Sequence, residues 1–250
     1  MSLPLVLLHG WGLDAGVWAP LRTALGTGRE ILTPSLPGHG TPAPATTRID
    51  EWSNALLAGL PERFALCGWS LGALITLDLA ARHPTRVARI ALLGATPSFV
   101  TRSSDSDSGN WQHGLAPTTV NGFCSGFAAD PAASLKRFVA LQALGDARRR
   151  TVSTLLSAAL ADVDSAARAP LARALAVLAG ADLRDRIASI RQPACLVHGL
   201  HDALMPVAAA RWLAEHLPDA SLTVFDDCGH APHLSRPAEC ATLLEGWMLD

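Results

Sequence analysis

The stretch Leu66-Cys67-Gly68-Trp69-Ser70-Leu71-Gly72-Ala73 decides how this chain folds. A short apolar run, Phe64 to Cys67, precedes it, and a longer one, Leu71 to Ala81, follows at once. Strand, tight turn and helix form the context in which Gly-x-Ser-x-Gly presents a nucleophile at the apex of the turn. Such a turn strains the backbone of its serine, and Gly68 and Gly72 leave room where other backbone passes close. Oγ of Ser70 then stands above the sheet at the start of the next helix. Unpaired N–H groups and the helix dipole there favour a developing negative charge.

Outward from this stretch the chain alternates strands with helices, which implies parallel strands and ligand binding at their C-terminal ends. Toward the N-terminus, Leu5-Val6-Leu7-Leu8 is a continuous apolar run, the mark of a strand covered on both faces, and it ends in His9-Gly10-Trp11-Gly12. A helix is expected over Val17 to Leu25, a strand over Ile31 to Thr33, and a helix over Ile49 to Leu60. After the central motif come a helix, Leu71 to His83, apolar nearly all round, and a strand, Val87 to Leu93. The rhythm breaks at Thr96. Residues 101–110 are polar and loop-like, and helical segments follow at about Thr118 to Ala128, Ala132 to Leu144, Arg148 to Ala161 and Ala166 to Ala179. Strands return at Pro193 to His198 and Leu222 to Phe225, with helices at Val207 to His216 and Pro237 to Met248. The expected organisation is an α/β core of residues 1–96 and 181–250, interrupted by a helical cap over 97–180.

Composition narrows the classes. Hydrophobic residues make up 49% and charged ones 17% of 250 residues, which excludes a disordered or fibrous chain. A net charge of −2 gives no overall attraction to nucleic acid or anionic membrane. The five cysteines (Cys67, Cys124, Cys195, Cys228 and Cys240) are far apart and contain no Cys-x-x-Cys, so neither a disulfide framework nor a zinc site is suggested. Met1 to Leu8 lacks a basic segment and is too short in apolar residues for a signal peptide. The expectation is a soluble cytoplasmic monomer with no metal and no organic cofactor.

A serine hydroxyl needs a base to accept its proton, and that base needs a carboxylate to hold its tautomer. Loops at strand ends supply them in the order Ser70, Asp202, His230, the order this architecture uses. His233 competes as the base, and Asp226 or Asp227 as the carboxylate. His9 and His39 are expected to brace their loops, His198 and His201 to pack or hydrogen-bond. Two backbone N–H groups should stabilise the oxyanion, those of Leu71 and Trp11.

Four stretches carry a resemblance: Leu5 to Trp18 (LVLLHGWGLDAGVW), Leu66 to Ala73 (LCGWSLGA), Arg137 to Gly145 (RFVALQALG) and Gly229 to Pro237 (GHAPHLSRP). Together they resemble the α/β-hydrolase superfamily and, within it, an esterase family of biotin synthesis. The resemblance implies a mostly parallel sheet flanked by helices, and a serine carboxylesterase that cleaves the methyl ester of a pimeloyl chain borne on an acyl-carrier protein. By position it implies that Trp11 and Leu71 contact the acyl carbonyl, that Phe138, Val139, Ala140, Leu141 and Gln142 line the acyl channel, and that Arg137 and Arg148 hold the acidic carrier. The charge pattern agrees in kind, since Lys136, Arg137, Arg148, Arg149 and Arg150 concentrate positive charge in a chain of net negative charge. The chain departs from the family in three places: it starts almost at the first strand without the usual N-terminal hairpin, Ser35 stands where the family usually has Asp, and the start of the cap has no strong match. The rivals are another esterase or thioesterase, a C–C bond hydrolase on the same triad, and a non-catalytic binding protein of the same fold.

Overall fold

The computed structural model describes residues 3–103, 109–161 and 163–249. Met1 and Ser2, from the segment expected to carry no leader, lie outside the described residues, as do positions 104–108 of the polar stretch. Six strands form one sheet: β1 (Leu5–Leu8), β2 (Ile31–Leu32), β3 (Phe64–Trp69), β4 (Val87–Leu93), β5 (Ala194–Gly199) and β6 (Ala220–Phe225), in the order β2-β1-β3-β4-β5-β6. Every pairing among them is parallel.

Period-two alternation explains why the inner strands are apolar throughout. Val6, Leu8, Leu66, Ile90, Leu92 and Leu196 join one core cluster with α2 (Ile49–Leu57) and α3 (Leu71–Arg82). Leu5, Leu7, Ala65, Cys67, Ala91, Leu93, Cys195 and Val197 join a second with α1 (Ala19–Leu25) and α11 (Pro237–Leu249). The whole of α3 from Leu71 to Ala80 is buried. Its one interior charge, Asp78, accepts from Arg82 Nη2 at 2.7 Å, from Arg186 Nη1 at 2.6 Å and from Ser53 Oγ, so burial leaves it fully paired.

Between β4 and β5 stand α4 (Pro117–Ala129), α5 (Pro131–Gln142), α6 (Arg149–Ala158), α7 (Ser165–Gly180) and the one-turn α8 (Arg184–Ile187). The four longer helices fall where the apolar periodicity puts them. Boundaries differ where local or tertiary bonds decide. The expected helix from Val17 is a 3-10 turn, Ala15–Trp18, capped by Asp14, and α1 begins beyond it with Pro20 in its first turn. Helix α6 stops at Ala158 because the next residues pair elsewhere: Ala159 O accepts from Asp14 N and Ala161 N donates to Gly12 O, both at 2.9 Å. After β5 come α9 (Val207–His216), β6, the four-residue α10 (Pro232–Ser235) and α11. Helices as short as α8 and α10 carry too little periodicity to be read from sequence.

Candidate active site

Ser70 sits between β3 and α3 with φ 58° and ψ −118°, and it is the one non-glycine residue with positive φ among the described residues. The strain is held in place by close packing on both sides. A Cβ at Gly68 would lie 2.2 Å from the Gly72 carbonyl oxygen, and one at Gly72 would lie 2.2 Å from that of Leu8. Either methyl group would push the helix off the sheet. Ser70 N donates to Leu93 O at 3.1 Å, which ties the elbow to the end of β4.

Asp202 follows β5 and His230 follows β6, so both arrive at the same sheet edge as Ser70. His230 Nδ1 donates to Asp202 Oδ2 at 2.7 Å, and both side chains are fully buried. The other carboxylate oxygen, Oδ1, accepts from Leu204 N at 2.9 Å and Met205 N at 2.8 Å. Burial opposes the charge on Asp202, but His230, His198 and their hydrogen bonds outweigh it and hold the carboxyl well below the usual range. The Nδ1 bond leaves Nε2 of His230 as the atom free to take a proton, and Nε2 is buried without a hydrogen-bond partner.

The competitors are placed elsewhere. His233 lies between Trp18, to which it is tilted, and Trp69, which it meets edge-on, at centroid distances of 4.5 and 4.6 Å, with neither ring nitrogen bonded, and burial lowers its pKa to about 3. Asp227 is paired with Arg236. His198 Nε2 donates to Met205 O at 2.7 Å and lies 3.3 Å from Asp202 Oδ2, so it helps to hold the carboxylate.

His9 and His39 brace each other's loops. His9 Nε2 accepts from Leu36 N and His39 Nε2 accepts from Gly12 N, both at 3.0 Å, while their Nδ1 atoms donate to Gly10 O and Pro37 O. Only neutral rings can make both bonds. Burial, and for His39 the neighbouring His9, push the two pKa values down to about 4 and about 3. Below the ordinary value of 6.5 the unfolded chain therefore binds protons that the folded chain refuses. Stability is expected to fall as pH drops from about 6.5 toward 4, each histidine contributing up to about 1.4 kcal/mol per pH unit. Urea midpoints between pH 7 and pH 4.5 measure this, and a flat midpoint contradicts the neutral brace.

The braced loop carries Trp11. A Cβ added at Gly10 would lie 3.3 Å from Ser70 Cβ, so this loop runs beside the elbow, with Leu71 N opening α3 on the other side. The Trp11 side chain fixes the loop to the insertion: Nε1 donates to Leu171 O at 2.8 Å, and the ring packs edge-on against Phe123, Phe127 and Phe138.

The expected channel residues separate. Phe138 and Leu141 line an apolar cavity of about 50 Å³ with Phe99, Val120, Phe123 and Leu204. Val139 instead belongs to the second core cluster and Ala140 is exposed. Gln142 acts through its backbone, its carbonyl accepting from His230 N at 3.0 Å. Sequence reasoning missed this, and also missed Trp69, whose Nε1 donates to His230 O at 2.8 Å. The variable position in Gly-x-Ser-x-Gly carries no signal for such a role. A larger cleft of about 490 Å³, lined by residues such as Gly38, His39, Asp164 and Pro170, includes none of Ser70, Asp202 or His230.

Residues 5–243 match the alpha/beta hydrolase family, and the chain belongs to it. It is 57% identical, over 96% of both chains, to the pimeloyl-[acyl-carrier protein] methyl ester esterase of Aromatoleum aromaticum. It is 35% identical to the enzyme of the same name from Nitrosomonas europaea, covering 94% of this chain and 91% of that one. Among solved structures, the enol-lactonase from Burkholderia xenovorans superposes with a TM-score of 0.83 at 23% identity, over 100% of this chain and 92% of that one, which speaks to the fold.

Proposed function

We infer that this chain is a serine carboxylesterase of biotin synthesis that hydrolyses the methyl ester of pimeloyl-[acyl-carrier protein]. The observation that carries the reading is 57% identity along nearly the whole chain to an esterase of that name. The buried Asp202–His230 hydrogen bond and the strained Ser70, all three at the C-terminal ends of parallel strands of one sheet, support the reading.

In this reading Ser70 Oγ attacks the ester carbonyl while His230 Nε2 takes its proton, and Asp202 stabilises the imidazolium that forms. The N–H groups of Trp11 and Leu71 receive the oxyanion. As the tetrahedral intermediate collapses, His230 gives the proton to the departing methoxide, and methanol leaves. Water then attacks the acyl-enzyme, giving its proton to His230, which returns it to Ser70 as the free acid is released.

The helical insertion over 97–180 acts as a cap. Phe138 and Leu141 contact the acyl chain. Exposed Lys136, Arg137, Arg148, Arg149 and Arg150, along α5 and the start of α6, form the face for the acidic carrier. Among the described residues no helix is long and apolar enough to cross a membrane. The reading makes the enzyme a cytoplasmic monomer that meets its carrier in solution.

The test compares pimeloyl-carrier-protein methyl ester with a short nitrophenyl ester. The carrier ester should be strongly preferred, and Arg137→Glu with Arg148→Glu should lower the ratio of the two kcat/KM values about 100-fold, an effect that shrinks in high salt. If the double variant leaves the ratio unchanged, the carrier face lies elsewhere. If only the small ester turns over, the enzyme is a general esterase.

A further inference from the structure

Asp146 lies in the turn between α5 and α6, outside the triad and outside the apolar cavity, yet its carboxylate is buried and accepts three hydrogen bonds. Its Oδ1 accepts from Arg148 N at 2.7 Å and from Ser235 Oγ at 2.9 Å. Its Oδ2 accepts from Gly229 N at 3.0 Å, the residue immediately before His230. Asp146 N closes the turn on Ala143 O at 3.3 Å. Two backbone bonds run in parallel with these: His230 N donates to Gln142 O at 3.0 Å, and Ala147 N donates to Asp227 O at 2.9 Å. The fit is close, because a Cβ at Gly229 would lie 2.8 Å from Leu144 O and 2.9 Å from Gln142 O.

We propose that Asp146 is a positioning residue for His230, a latch through which the cap sets the place of the catalytic base. The proposal rests on the triad reading above. Asp146 touches no substrate and acts through the Gly229–His230 backbone. The loop from Asp226 to Ala231 is tied to the core by Trp69 Nε1 to His230 O, His201 N to Cys228 O, the Asp202–His230 bond and Arg236 to Asp227. It is tied to the turn between α5 and α6 by Gln142 O, Ala147 N and Asp146, of which Gln142 O and Asp146 hold the backbone of Gly229 and His230 directly. A carboxylate suits this place because it is acceptor-only, and it faces two backbone N–H groups and one hydroxyl that all need acceptors. Arg148, proposed above to meet the carrier, shares Oδ1 with Ser235. A carrier that shifts the start of α6 therefore pulls on the same carboxylate that holds the His230 loop.

The test uses the full chain and a short nitrophenyl ester, so that it does not depend on the carrier. Active sites are counted by labelling the serine to completion with a fluorophosphonate, and kcat is expressed per labelled site. Asp146→Ala should lower kcat per site about 10- to 100-fold, with KM for the small ester changed less than about twofold. Asp146→Asn, which keeps the shape and one acceptor oxygen, should recover part of the loss. A purely structural Asp146 would lower thermal stability and the number of labelled sites but leave kcat per site within twofold of wild type, and that result overturns the proposal. Should Asp146→Ala fail to fold, Asp146→Asn and Ser235→Ala carry the test, each expected to reduce kcat per site at least threefold, and no reduction in either overturns it. Ser70→Ala, run beside them, tests the triad separately. Turnover there at a tenth of wild type or more overturns the triad and the latch with it.

Discussion

Replacing Ser70 with alanine is expected to lower kcat by about 10⁵- to 10⁶-fold, the largest loss available to a single substitution in this site. The loss comes from removing the atom that forms the acyl-enzyme. Residual turnover should stand about 10³ above the uncatalysed rate, because the N–H groups of Trp11 and Leu71 still receive the oxyanion. Fold and stability should be unaffected, since Ser70 is held by its backbone: its N–H bond to Leu93 O and the packing of Gly68 and Gly72 do not use the hydroxyl. Steady-state kinetics on either ester measure the rate, and fluorophosphonate labelling should vanish in parallel. A variant that retains a tenth of wild-type activity would refute the assignment.

Asp202→Asn should cost about 10⁴-fold in kcat with KM little changed. The carboxylate receives Nδ1–H of His230 at 2.7 Å, which places the lone pair of Nε2 where the serine proton must go. The asparagine Oδ1 can still take the N–H groups of Leu204 and Met205, so its NH2 group is turned toward His230. The imidazole must then accept at Nδ1 and carry its proton on Nε2, which removes the base. His198, 3.3 Å from the same oxygen, cannot substitute, because its Nε2 is engaged with Met205 O. Kinetics after active-site titration decide the matter, and a loss of less than tenfold would mean that another carboxylate orients the histidine.

Much of this site was legible because its parts obey local rules. Apolar runs that end in glycine-containing turns marked the strand ends, and residues at those ends gather along one sheet edge whatever lies between them. That is how Ser70, Asp202 and His230 could be read together although they are far apart in sequence. Contacts made by backbone atoms left no such trace. Gln142 was placed in the acyl channel by resemblance alone, and nothing in the sequence pointed to its carbonyl, which accepts from His230 N. Asp146 carried no signal in the sequence, and only tertiary structure brings Gly229 and Ser235 onto it. Val139 and Ala140 were placed with Phe138 by the resemblance, but a helix turns about 100° per residue and sends neighbours to different faces. His9 and His39 were expected to steady their own loops, and each does so through Nδ1, while through Nε2 each also steadies the other's, which the sequence did not indicate.

The insertion leaves the sheet at the end of β4 and returns at the start of β5, two strands that lie side by side in parallel register. Because the strands are parallel, residues 94–193 leave at one edge of the sheet and re-enter at the opposite edge, with Leu93 beside Val197 and Ala194 beside Ile90. Both ends are fixed, and the length between them scarcely matters to the sheet, since each doubling of a loop costs only about 0.6 kcal/mol. This gives the fold a modular evolutionary economy. Descendants of one ancestor can lengthen, shorten or exchange this segment and acquire new substrates while the strands and the elbow beneath remain as they were. The limit on that freedom is set where the segment touches the loop bearing His230, so a transplanted cap must bring its own acceptor for Gly229.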